Sequence, residues 1–69
     1  MHFDYGEYHV IVSQRTEGAW VTDVRRRDGR QIKSILGVFP VIRADSNRSL
    51  EAAVDSVCEL IDQAPFEAA

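Results

Sequence analysis

Five basic side chains lie close together in the middle of the chain and could bind phosphate groups. They are Arg25, Arg26, Arg27, Arg30 and Lys33, and they fall within nine positions. Arginine and lysine contact nucleic-acid phosphates without reading the base sequence, and the rings of Trp20 and Phe39 could stack on unpaired bases. The cluster supports a hypothesis of nucleic-acid or regulatory binding. The candidate binding residues are Arg25, Arg27, Arg30, Lys33 and Trp20.

The overall charge argues for a different role for these basic residues. Strand side chains alternate between faces, so Arg26 should point away from Arg25 and Arg27. The pI is about 5.2 and the net charge is −3, whereas nucleic-acid-binding domains are usually basic. All eight basic residues lie between positions 15 and 48, and residues 49–69 contain five carboxylates and no base. The cluster is therefore interpreted first as a solvated hairpin, or as a partner for an acidic helix in the same or another subunit.

The other reactive residues match no motif for catalysis or metal binding. His2, Asp4 and His9 lack any recognised ligand spacing, and one cysteine excludes an intrachain disulfide and thiolate zinc motifs. Cys58 falls on the apolar side of a predicted helix, where it would act as a small hydrophobe. The sequence contains no nucleophile elbow and no phosphate-binding glycine loop. We therefore expect no enzymatic activity, no bound metal and no cofactor.

The strongest structural prediction is one amphipathic helix over residues 49–63. Its apolar residues recur at the spacing of a helical stripe. They are Leu50, Ala53, Val54, Val57, Cys58 and Ile61. Ser49 is a suitable N-cap, and Pro65 is expected to end the helix. Because a helix of this length is marginal alone in water, it should pack against the rest of the chain.

Two segments before the helix are predicted to be β-strands. Residues 7–15 and 19–27 are rich in β-branched and aromatic residues and alternate between two faces. Both faces contain apolar residues, so the face that meets the helix is ambiguous. The residues we favour for the helix-facing side are Val10, Val12, Trp20 and Val24.

The Asp28-Gly29 pair predicts a type I′ hairpin that leads into a third strand over residues 30–36. Residues 38–43 predict a short fourth strand or an edge continuation. The two ends, 1–6 and 65–69, are expected to be loose, although Phe66 could fold back. The predicted fold class is α+β, with a three- or four-stranded antiparallel sheet followed by one C-terminal helix packed on one face.

Length and composition are consistent with one small globular domain over residues 1–69, ordered over about 7–64. Hydrophobic residues make up 45% and charged residues 28% of the chain, which excludes a disordered composition. No signal-peptide pattern and no 18-residue apolar run is present, so a cytoplasmic location without membrane contact is predicted. A chain this small, without a disulfide, often needs a partner subunit.

The predicted partner is a second copy of the chain or another protein. One helix can cover only one sheet face, and an uncovered apolar face indicates an interaction surface, most simply that of a twofold dimer. The candidates for this surface are Trp20, Ile11, Val21 and Ile35. The first functional hypothesis is therefore a small non-enzymatic interaction module that acts as a homodimer, and nucleic-acid binding is the alternative.

Two segments of the chain resemble the HicB-like antitoxin domain. One is Gly18-Ala19-Trp20-Val21-Thr22 in the second strand, and the other is Ser49-Leu50-Glu51-Ala52-Ala53 at the start of the helix. The resemblance covers roughly residues 8–63. It implies a shared strand–strand–strand–helix fold and an antitoxin or regulatory role, and it implies no catalytic residues.

Overall fold

The computed structural model describes residues 1–15, 17–63 and 66–69. In chain order the elements are β1 (His2–Tyr5), β2 (Tyr8–Gln14), β3 (Trp20–Arg26), β4 (Ile32–Ser34), β5 (Gly37–Phe39), β6 (Ile42–Asn47), α1 (Leu50–Gln63) and β7 (Glu67–Ala68). Strands β1, β2, β3 and β6 form the main antiparallel sheet in that spatial order, and β5, β4 and β7 form a second sheet. The predicted α+β class is confirmed, because antiparallel strands precede one helix near the C-terminal end.

The core lies between the main sheet and the helix. Its buried cluster consists of Tyr8, Val10, Val12, Val24, Ile32, Ala53 and Val57. Val10 lies directly opposite Val24 in the β2–β3 ladder, so the apolar side chains of both strands share one face. Trp20 is partly buried and packs against the same cluster. The helix-facing residues predicted from the alternation are therefore confirmed.

The helix begins at the predicted cap. The backbone N–H of Ala52 donates to Ser49 Oγ at 3.1 Å, which satisfies one of the free donors of the first turn. Ala53 and Val57 on the apolar stripe are buried. The predicted stop at Pro65 lies outside the described residues. Within the described part of the chain, no helix has the length and apolar character needed to cross a membrane.

The prediction of a loose end is wrong for residues 1–6, whereas at the other end the alternative that Phe66 folds back is the one observed. Strand β1 pairs with β2, and β7 pairs with β4, so each terminal segment covers a strand edge that would otherwise be unpaired. The Tyr5 hydroxyl donates to Asp62 at 2.9 and 3.0 Å, which ties β1 to the last turn of the helix. Phe66 packs edge-on against Tyr8 with 6.3 Å between ring centroids.

The predicted hairpin at Asp28-Gly29 is also wrong, although a turn does form there. Gly29 has a φ of +80°, and its N–H donates to the Arg26 carbonyl at 3.3 Å. Asp28 Oδ1 accepts from the backbone N–H of Arg30 at 3.0 Å, which is the bond of an Asx turn. The chain then leaves the main sheet, and β6 takes the place beside β3.

The segment after this turn forms the small hairpin of the second sheet. The predicted third strand shortens to β4, and the fourth divides into β5 and β6, which continues to Asn47. Ser34 supports the β4–β5 turn, because its hydroxyl accepts from the Leu36 N–H at 3.2 Å and donates to the Gly37 carbonyl at 3.3 Å. Ile32 is fully buried in the common core and joins the second sheet to the first.

The face of the main sheet opposite the helix is mainly polar. Asp4 bonds to His9 across β1 and β2 at 2.7 Å, and Arg43 Nε bonds to Asp23 Oδ1 across β6 and β3 at 2.7 Å. Trp20 packs on the helix side instead. The open face therefore carries cross-strand polar pairs beside the apolar side chains of Ile11 and Val21, which alternate with the helix-facing residues of β2 and β3.

Ile35 lies in the turn between β4 and β5 rather than on the main sheet. Of the other three residues predicted for a dimer surface, Ile11 is partly exposed, Val21 is buried and Trp20 faces the helix. The four residues therefore do not form one contiguous surface, and only Ile35 is highly exposed.

Candidate functional site

The basic residues predicted to bind phosphate converge only in part. Arg25 and Arg27 line a shallow groove with a volume of about 450 Å³, together with Asp4, His9 and Arg26. Arg25 also lines a neighbouring depression with Arg30, Pro40 and Val41. The structure thus brings three of the five candidate residues, Arg25, Arg27 and Arg30, to one end of the main sheet.

Lys33 and Trp20 lie elsewhere. Lys33 is exposed on β4, in the second sheet, and lines neither depression. Trp20 begins β3 and Arg25 is near its end, so at about 3.3 Å per residue they are roughly 17 Å apart along the strand. Trp20 also packs against the core. The predicted combination of a basic patch with a stacking tryptophan is therefore absent from this groove.

Arg26 is fixed in an ion-pair cluster. Its Nε and Nη2 atoms donate to Asp28 at 3.0 and 2.9 Å, and Nη1 lies 3.5 Å from Glu7 Oε2. Its guanidinium carbon is 5.8 Å from the centre of the Tyr8 ring, within the range of a cation–π contact. The bond to Asp28 raises the pKa of Arg26. Arg26 therefore organises the turn and has little capacity left for an external anion.

The two flanking arginines have lighter contacts. Arg27 Nη1 donates to the Gly6 carbonyl at 3.3 Å, and its Nε is 3.5 Å from Asp4 Oδ2. Arg30 Nε donates to the Ala69 carbonyl at 3.1 Å. Both side chains are exposed. Because a guanidinium carries five N–H donors, these contacts leave other donors of Arg27 and Arg30 unused.

Arg25 differs from its neighbours because it forms no hydrogen bond and no ion pair with the part of the chain that the structure describes. It is exposed and projects from the polar face of the main sheet, directly across from His9 in the β2–β3 register. The Nδ1 atom of His9 is 2.7 Å from Asp4. This bond lowers the pKa of Asp4.

No cluster of three potential metal ligands occurs among residues 1–15, 17–63 and 66–69. Asp4 and His9 bond to each other, and the His2 ring lies 5.4 Å from the His9 ring, centroid to centroid. Cys58 is partly buried, and burial, with the nearby carboxylates of Asp62 and Asp55, raises the pKa of its thiol. A raised thiol pKa disfavours the nucleophilic thiolate.

A second candidate surface is an apolar segment that the sequence analysis assigned to strands. The side chains of Ile35 and Leu36 at the β4–β5 turn are 85% and 86% exposed. Three further large apolar side chains, with exposures of 38–47%, follow within five positions. They are Val38, Phe39 and Val41. We call these five residues the apolar hairpin.

The apolar hairpin could have been recognised from two residues in the sequence. Gly37 and Pro40 interrupt an otherwise apolar run, and both are disfavoured inside a central strand. A run broken in this way suggests an edge strand, and an edge strand has only one paired side. The alternation of side chains alone gave no sign that the turn residues would remain exposed.

Comparison of the chain with protein-family models, with curated proteins and with solved structures gave no match. The resemblance to the HicB-like domain therefore stays a prediction.

Proposed function

We propose that this domain is a non-enzymatic protein-interaction module and that it forms a homodimer through the apolar hairpin. The observation that carries the proposal is the pair of aliphatic side chains, Ile35 and Leu36, that are more than four-fifths exposed at one turn. Single exposed hydrophobic residues are common, but contiguous exposed apolar residues indicate a contact surface.

The backbone of the hairpin supports a second copy as the occupant. Strand β5 is at the edge of the second sheet, with β4 on its only paired side among the described strands. An unpaired strand edge can accept another strand through main-chain hydrogen bonds. Two copies of β5 can pair antiparallel about a twofold axis, since the same surface serves both sides of such a contact.

The expected affinity of this dimer is moderate. Fully burying one large apolar side chain contributes about 1.5–3 kcal/mol, and three of the five side chains of the hairpin are already half covered. Burial from both copies would supply on the order of 10 kcal/mol, against an association cost of about 4–15 kcal/mol. We therefore expect a monomer–dimer equilibrium that depends on concentration.

The test is the solution mass, measured by sedimentation equilibrium from micromolar to millimolar protein. The wild-type mass should rise toward twice the 7.8 kDa of one chain. The Leu36→Asp variant should stay monomeric because it would place a carboxylate in the apolar contact. Leu36 is so exposed that this variant should fold normally.

The matched control is Ala52→Asp, which adds the same charge at an exposed position on the helix. It should dimerise like the wild type. A wild-type mass of one chain at every concentration would overturn the homodimer, and so would a Leu36→Asp variant that dimerises with unchanged affinity.

A further inference from the structure

The groove beside Arg25 has features that dimerisation through the apolar hairpin does not use. Arg25 is exposed and makes no polar contact with any described residue, whereas Arg26, Arg27 and Arg30 each bond to another group of the fold. A guanidinium presents its donors in a planar fork, which suits two oxygens of one phosphate group.

The charge around the groove favours an anion. Three arginines, Arg25, Arg26 and Arg27, line it, and Asp4 is the only carboxylate among the lining residues. Because Arg26 is already paired with Asp28, the positive charge available to a ligand comes from Arg25 and Arg27. The Asp4 carboxylate is already bonded to His9 Nδ1 at 2.7 Å and lies 3.5 Å from Arg27 Nε, so its charge is partly offset. Arg30 adds a further positive charge from the adjoining depression.

The turn at the edge of the groove contains a glycine, Gly29, so no side chain covers the backbone there. Gly29 lines both depressions beside Arg25. Apart from Gly29 and its two chain neighbours, no described residue has a heavy atom within 4 Å of the position that a Cβ would take there. Its φ of +80° suits glycine. A ligand could therefore approach the backbone closely on the side where Arg25 projects.

We propose that this groove binds a phosphate-bearing ligand, with Arg25 as the main contact and Arg27 and Arg30 as flanking cations. The volume of about 450 Å³ is at the lower end of the range for small-molecule sites. It accommodates one phosphate group with a small substituent. The same phosphate chemistry could be presented by a mononucleotide or by one phosphate of a nucleic-acid strand.

Three probes distinguish these sources by NMR titration of the full chain at low salt. They are inorganic phosphate, adenosine monophosphate and a single-stranded oligonucleotide. Binding of phosphate or the monophosphate, with shift changes at residues 9 and 25–30, is the expected result. Stronger binding of the oligonucleotide would identify a nucleic-acid strand as the source of the phosphate. The logarithm of its binding constant should then fall with the logarithm of the salt concentration, with a slope of several times about 0.7.

The decisive variant is Arg25→Gln. It should weaken binding of the best probe about tenfold, because charge-assisted hydrogen bonds to phosphate are lost. The matched control is Arg15→Gln, which removes the same charge at the far end of β2, where Arg15 lies 3.9 Å from Glu17. The control should change the dissociation constant less than about twofold, as expected of a distant surface charge.

The proposal is overturned if none of the three probes shifts these resonances, or if the two variants weaken binding equally. Either result leaves the homodimer proposal intact, because that proposal depends on solution mass and on Leu36. Conversely, if the wild-type protein is monomeric and binds phosphate through Arg25, that result would support the phosphate site and exclude the homodimer.

Discussion

At the scale of single residues, the turn after β3 depends on one carboxylate with two kinds of partner. Asp28 accepts from the Arg26 guanidinium at 2.9–3.2 Å and from the Arg30 backbone N–H at 3.0 Å. These bonds stabilise the ionised form, and they lower the pKa of Asp28 from 3.8 to about 2. The Asp28 side chain thus shapes the turn and forms an ion pair with Arg26, which lies between Arg25 and Arg27.

This lowered pKa predicts a loss of stability in acid. A group whose pKa is lower in the folded state stabilises the fold above its unfolded pKa, and the contribution disappears as pH falls through the folded value. The Asp28 contribution should therefore be complete above about pH 4 and disappear as the pH falls toward about 2.

The measurement is the urea midpoint of the wild type and of Asp28→Asn, from neutral pH down to the folded pKa of about 2. The gap between the two proteins should be largest near neutral pH and should narrow in acid. Parallel curves with a constant gap would contradict this role for the carboxylate.

At the scale of elements, strand β4 shows how sharply exposure changes within a few residues. Ile32 is fully buried in the common core, whereas Ile35, three positions later, is 85% exposed. Both were assigned to one predicted strand, on which residues an odd number apart face opposite sides. Only the early end of the strand, however, reaches the core between the two sheets.

This contrast allows a test within one hairpin. Ile32→Ala should lower the free energy of unfolding by about 2–5 kcal/mol, because it leaves a cavity in the core. Ile35→Ala should change it by less than about 0.5 kcal/mol, since the side chain is exposed. Urea denaturation at low protein concentration, where the chain is monomeric, would measure both. Equal effects would mean that the second sheet does not share the core.

At the scale of the whole molecule, the helix and the two central strands of its sheet, β2 and β3, could be predicted from the sequence, but β1, the place of β6 and the second sheet could not. The stripe that includes Ala53 and Val57, and the alternation of Val10, Val12 and Val24, are periodic signals that report one buried face. These signals are local. They located the helix, but they left the covered face of the sheet ambiguous, because the opposite face also contains apolar residues such as Ile11 and Val21.

The pairing of strands distant in the chain has no such local signal. The Asp28-Gly29 pair indicated a turn correctly, but the partner that completes β3 is β6, which no pattern near the turn specifies. The two-residue strand β7 is too short to show alternation at all. At the basic groove, the residue types of Arg25, Arg27 and Arg30 were visible in the sequence. The convergence of these three arginines depends on the tertiary fold, and so does the ion pair in which Asp28 engages Arg26.

The attachment of the second sheet through Ile32 has a consequence for local unfolding. Among its eight residues, Ile32 is the only one that is buried, so opening β4 and β5 would expose one core side chain and little other apolar area. Segments with few buried contacts open at a lower free energy than the global transition. Amide hydrogen exchange in the monomer should thus be faster for β4 and β5 than for β2 and β3, and equal protection would show one cooperative unit. If β4 and β5 do exchange faster, the apolar hairpin is the part of the molecule that can rearrange at the lowest free-energy cost when a partner docks.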